Sequence, residues 1–107
     1  MEHYVTLFDS LYLPQGISLH RSMERHLKKY TLWIICMDEN TYSILNNMLL
    51  PNVKLLFICD IETKELLSIK PDRTKGEYCW TLSPFAPKFV FDADKEIDRV
   101  TYIDADM

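Results

Sequence analysis

The chain has 107 residues, 48% hydrophobic and 26% charged, and 12 Lys+Arg against 16 Asp+Glu leave a net charge of −4. These values suit one small globular domain and exclude a disordered tail, a collagen-like chain and a coiled coil, and no apolar stretch approaches the roughly 18 residues of a membrane-spanning helix. Net acidity argues against a nonspecific grip on nucleic acid, and with Gly at 2 there is no glycine-rich phosphate loop.

In chain order, Met1-Glu2-His3-Tyr4 lacks a basic region followed by a long apolar core, so no signal peptide is expected and the chain reads as cytoplasmic. Tyr4-Val5-Thr6-Leu7-Phe8 is β-branched and aromatic, stops at Asp9-Ser10, and predicts the first strand. Leu19, Met23, Leu27 and Tyr30 then fall on one helical stripe, which predicts a helix over about 15–30. Arg25, His26, Lys28 and Lys29 crowd its last turns, where positive charge suits the dipole. Thr31–Met37 is apolar on both faces and predicts a strand inside a parallel sheet. Asp38 is placed to cap a second helix with Tyr42, Leu45 and Leu49 on its apolar face, stopped by Pro51-Asn52. Val53–Cys59 predicts a third buried strand, closed by Asp60, and a short helical stretch runs from Ile61 to Ile69. From Arg73 to Phe91, Tyr78, Leu82, Phe85 and Phe89 keep helical spacing, with Pro84 and Pro87 expected to interrupt or kink it. Arg99–Ile103 predicts a fourth strand, which runs into Asp104-Ala105-Asp106.

Strands alternating with helices predict an α/β fold: a Rossmann-like parallel sheet, strand order 3-2-1-4, with flanking helices, in a single domain over residues 1–107. Ligands of such sheets bind beyond the carboxyl ends of the strands, where the winding reverses. Here the reversal falls between the first and fourth strands, so the rule selects Asp9-Ser10-Leu11-Tyr12 and Asp104-Ala105-Asp106. Two carboxylates one residue apart can point the same way from an extended chain. Their repulsion is relieved by a hard divalent cation, Mg²⁺ or Mn²⁺, which keeps other positions for substrate phosphates. The plain alternative is a solvated turn.

Cys36, Cys59 and Cys79 are odd in number and form no C-x-x-C, so they read as buried free thiols in a reducing compartment, not as a disulfide framework or a zinc site. His20 and His26 fall on the first helix as packed or solvated residues, and His3 lies near a terminus.

Val100-Thr101-Tyr102-Ile103-Asp104-Ala105-Asp106-Met107 resembles the strand and Y-[IL]-D-A-D segment of nucleotide-diphospho-sugar transferases with the GT-A fold, particularly those similar to glycosyltransferase family 8. Val5–Tyr12 is similar to the opening strand and loop of that fold, and Lys70–Thr81 resembles the basic helix start of a bacterial branch. The resemblance implies that the chain is the N-terminal, nucleotide-sugar-binding half of such a fold, incomplete at its C-terminus. It implies a metal-dependent enzyme that takes a nucleoside-diphosphate sugar and transfers the sugar to an unknown acceptor hydroxyl. On these positions Asp9 would accept hydrogen bonds from the base or ribose, Ser10 would share that loop, and Tyr12 would stack on the base. Asp104 and Asp106 would hold Mn²⁺ or Mg²⁺, with Asp104 also meeting the ribose, and Arg73 or Lys75 would approach the diphosphate. The sequence departs from the family at Tyr78-Cys79-Trp80-Thr81, where relatives often carry an arginine. The family normally continues past the aspartate pair to an acceptor site and a further metal ligand, so the 107 residues alone are expected to be catalytically silent. The sheet edge left uncovered is expected to favour self-association.

Other classes compete. A phosphoacceptor receiver would use Asp9 and a phosphorylated Asp60, but the first strand ends in one acid instead of a pair. A haloacid-dehalogenase phosphatase needs D-x-D on its first strand, and a nucleotidyltransferase needs a Gly-rich loop after it; neither is present. A non-catalytic transferase remnant stays open.

Overall fold

The computed structural model describes residues 2–27, 29–58 and 85–103. Four strands form one all-parallel sheet: β1 (Glu2–Phe8), β2 (Tyr30–Cys36), β3 (Val53–Phe57) and β4 (Thr101–Tyr102), in the order β3-β2-β1-β4. The order is the one expected from the alternation of elements. It is not that of a receiver, whose sheet runs 2-1-3-4-5 and sets the third strand beside the first. Here β2 separates them, which argues against the receiver reading; Asp60 itself lies outside the described residues.

All seven residues of β2 are buried, as its two-sided apolarity demands. It pairs Glu2↔Tyr30 through Phe8↔Cys36 with β1 and Leu32↔Val53 through Cys36↔Phe57 with β3. Side chains alternate across the sheet and separate two cores. On one face Val5, Leu7, Trp33 and Ile35 pack with Ile58, Ile97 and α3 (Ala86–Ala93), which contributes Phe89 and Val90. On the other Phe8, Leu32, Ile34 and Cys36 pack with Met23 of α1 (Leu13–His26) and Leu45 of α2 (Glu39–Met48). Each fully buried aliphatic side chain of this kind contributes about 1.5–3 kcal/mol of transfer free energy. Among the described residues no helix is long and apolar enough to cross a membrane.

Several elements differ from their predicted limits. The first helix ends at His26, not near residue 30: Leu27 is extended and donates its N–H to Met23 O at 2.8 Å. Tyr30 matched the helical stripe because it is buried, but its burial comes from the first position of β2. Its hydroxyl donates to Glu24 Oε1, and Asn52 Nδ2 donates to the same oxygen at 2.9 Å. Burial first, then Glu24, pushes the Tyr30 phenol well above its ordinary range. His20 is packed, as expected, and its Nε2 donates to Pro51 O at 2.8 Å. These bonds sew α1 to the start of β2 and to the turn before β3.

Leu49, expected on the apolar face of α2, is 83% exposed, because the helix stops at Met48 and Leu49 takes a left-handed cap conformation at φ 50°. The third strand is five residues long and only partly buried, and among the described residues it is the outermost strand of the sheet; Ile58 beyond it is buried, and Cys59 lies outside the described residues. Pro87 does not kink a helix: it sits in the first turn of α3, where its missing N–H costs nothing. Phe85 is the residue before that helix and Phe89 is buried in it. The stretch Ile61–Ile69, the residues Tyr78, Cys79, Leu82 and Pro84, and the segment around Arg73 lie outside the described residues. Pairing of β4 is confined to Thr101–Tyr102, while the exposed Arg99 guanidinium meets Glu2 Oε1 at 2.8 Å.

Candidate functional site

The winding reverses at β1, which has β2 on one side and β4 on the other. Tyr4↔Thr101 and Val5↔Tyr102 set the register, and Ile103 N donates to Val5 O at 2.9 Å. Both strands therefore head for the same end of the sheet.

At that end β1 gives way to Asp9, which is 8% exposed and extended at φ −106°. Asp9 Oδ1 accepts from Leu11 N at 3.0 Å, and its carbonyl accepts from Tyr12 N at 3.1 Å. A short aspartate side chain bonding two residues ahead closes the chain into the 3₁₀ turn Ser10–Tyr12. The turn leaves Leu11 74% and Tyr12 42% exposed. A half-exposed phenol ring at the rim offers a face for stacking. The Asp9 carboxylate already spends one oxygen on the turn, so its structural role is established alongside any ligand role.

The neighbouring strand supplies a second acid. Asp38 follows β2 and caps α2, its Oδ1 accepting from Thr41 N at 2.8 Å. Its Oδ2 accepts from Ser10 N at 3.1 Å and from Ser10 Oγ at 2.9 Å. Burial raises the Asp38 carboxyl, but the donors on Thr41 and Ser10 outweigh it and hold the pKa at about 2. Below this rim the sheet ladder is extended by Met37 N donating to Phe8 O at 3.0 Å. Asp38 was legible only as a helix cap. The signal that marks it as part of the rim is its position: it follows the apolar run of β2 as Asp9 follows that of β1.

Asp9, Ser10 and Tyr12 are thus brought together in one turn at the expected end of the sheet. Arg73, Lys75, Asp104 and Asp106 lie outside the described residues. Among the described residues no three His, Cys, Asp or Glu side chains come together as a metal-holding group. His3 Nδ1 accepts from Trp33 Nε1 at 3.4 Å, His20 is bonded to Pro51, and His26 is exposed on α1. Cys36 is a buried free thiol, pushed to about 12 by burial and then by the charge of Asp38, and so stays protonated.

An open groove of about 370 Å³ lies at the far edge, between α2 and β3, lined by Tyr42, Leu45, Leu50, Val53 and Leu55. Among its described lining residues the titratable side chain is the Tyr42 phenol, and the groove lies on the β3 side of β2.

No protein-family model matches the chain. It is similar to two uncharacterized proteins of Bacillus subtilis (strain 168). It is 34% identical to YfnF over 104 residues, which is 97% of this chain and 34% of YfnF. It is 28% identical to YfnD over 100 residues, 94% of this chain and 31% of YfnD. The chain thus spans about a third of the length of the curated relatives it matches.

Proposed function

We propose that this chain is the donor-binding part of a metal-dependent glycosyltransferase with the GT-A fold, similar to family 8. In this reading it binds a nucleoside-diphosphate sugar whose sugar passes to an acceptor hydroxyl. The observation that carries the reading is the reversal of winding at β1. The strand that leads into Asp104-Ala105-Asp106 runs parallel beside the strand that ends in the Asp9 turn. Ligands of doubly wound sheets bind at such reversals.

Asp104 and Asp106 are the residues that would hold Mn²⁺ or Mg²⁺, since a carboxylate pair suits hard cations. Such an ion, when bound, supplies Lewis-acid stabilisation of charge on the diphosphate leaving group. The work of the chain's own residues is recognition. Tyr12 offers its ring to the base, Asp9 offers an acceptor to base or ribose from a turn already ordered, and Ser10 lies between them. Arg73 or Lys75 would bring positive charge to the diphosphate. No residue of the chain is assigned as general base or nucleophile.

Calorimetric titration with UDP, ADP and GDP, each with and without Mn²⁺, tests the reading. At least one should bind in a metal-dependent way, and Asp104→Asn and Asp106→Asn should each abolish the dependence. Metal-stimulated binding that is unchanged in both variants would remove the aspartate pair from the account.

A further inference from the structure

We propose that Asp38 is a positioning residue of this crevice: its carboxylate fixes the turn bearing Asp9, Ser10 and Tyr12 by tying it to the first turn of α2. What the turn binds rests on the function proposed above; the tie itself is geometry. Ser10 and Asp38 stand in different loops, one after β1 and one after β2, and meet because those strands are neighbours in register. The two bonds from Ser10, through N at 3.1 Å and Oγ at 2.9 Å, converge on Oδ2, while Thr41 N at 2.8 Å holds Oδ1. Both oxygens are engaged. A ligand that took this carboxylate would have to break either the helix cap or the turn, which separates its role from direct binding. Hydrogen bonds to an ionised acceptor are the stronger kind. Apart from this tie, the described hydrogen bonds of Ser10–Tyr12 are local ones, to Asp9 and along the turn. Ordering a loop on binding costs affinity, so a turn held before the ligand arrives binds more tightly.

The substitution that isolates this role is Asp38→Asn. The amide oxygen can still accept from Thr41 N, so the α2 cap and the fold stand, but the amide nitrogen facing Ser10 cannot accept from Ser10 N. Amide hydrogen exchange and calorimetry with UDP, ADP and GDP in the presence of Mn²⁺ are measured on the same protein. Exchange at Ser10 should rise about tenfold while Thr41 keeps its protection, and nucleotide affinity should fall about fivefold while unfolding stays a single cooperative transition with Tm lowered by no more than about 4–8 °C. Unchanged exchange over Ser10–Tyr12 would overturn the tie. Lost affinity with the turn still protected would also overturn the proposal, because Asp38 would then touch the ligand itself. If the unaltered chain binds none of the three nucleotides, the proposed function fails and the positioning role fails with it. If it binds one and Asp38→Asn binds it equally well, the positioning role alone fails.

Discussion

Gly16 and Phe8 set how closely α1 lies on the end of β1, and so where the Asp9 turn begins. A Cβ on Gly16 would stand 2.2 Å from Phe8 Cζ, and the Phe8 ring is buried in the core, so relief requires the core around it to shift. Gly16→Ala gains about 1 kcal/mol of helix propensity, but so close an approach puts the overpacking cost in the upper part of the usual range, about 2–3 kcal/mol. We expect a net loss of about 1–2 kcal/mol, read as a lower denaturant midpoint at constant slope; a variant as stable as the parent would show that α1 sits farther from β1. At Asp38 the folded pKa of about 2 lies below the ordinary carboxyl value of 3.8. A depressed carboxyl contributes stability that is present above the unfolded pKa and is lost as pH falls through the folded one. Stability should therefore fall between about pH 4 and 2, and Asp38→Asn should flatten that limb. Because the group is largely solvent-screened, the effect is below about 1 kcal/mol. An acid limb identical in the variant would contradict the assignment.

At the scale of elements, local chemistry decided what could be read from the residues. The cap at Asp38 and the stop at Pro51 are local signals, and α2 begins and ends by them. The Asp9 turn was legible for the same reason: a short acid just beyond a β-branched and aromatic run. Tyr30 was misplaced because apolar periodicity reports burial without saying whether a helix or a strand buries it. The burial expected of β3 failed because its place at the edge of the described sheet is a fact of topology, invisible in its own apolar residues. The Ser10–Asp38 tie was hidden likewise, since only the pairing of β1 with β2 brings those loops together. Leu49 shows what local strain does at such a boundary. A branched side chain in the left-handed region, largely exposed at the rim of the groove between α2 and β3, costs about 1–2 kcal/mol that glycine avoids. Leu49→Gly should raise stability by about 0.5–1 kcal/mol in thermal or denaturant unfolding; a loss of stability would mean that the Leu49 side chain makes a contact that matters.

On the scale of the whole molecule, the strand order carries the functional argument. The outward winding of β1, β2 and β3, followed by return to β4, followed from the alternation of elements. It puts the reversal, and with it the predicted crevice, beside β1. The central claim is that a cation held by Asp104 and Asp106 shares that crevice with the Asp9 turn. Titrating Mn²⁺ with UDP into isotopically labelled protein and reading paramagnetic broadening residue by residue tests it most directly. The amide signals of Asp9–Tyr12 should broaden first, and Asp106→Asn should abolish the effect. Broadening confined to the amino end of the sheet, around Glu24 and Asn52, with the Asp9–Tyr12 signals untouched, would contradict it.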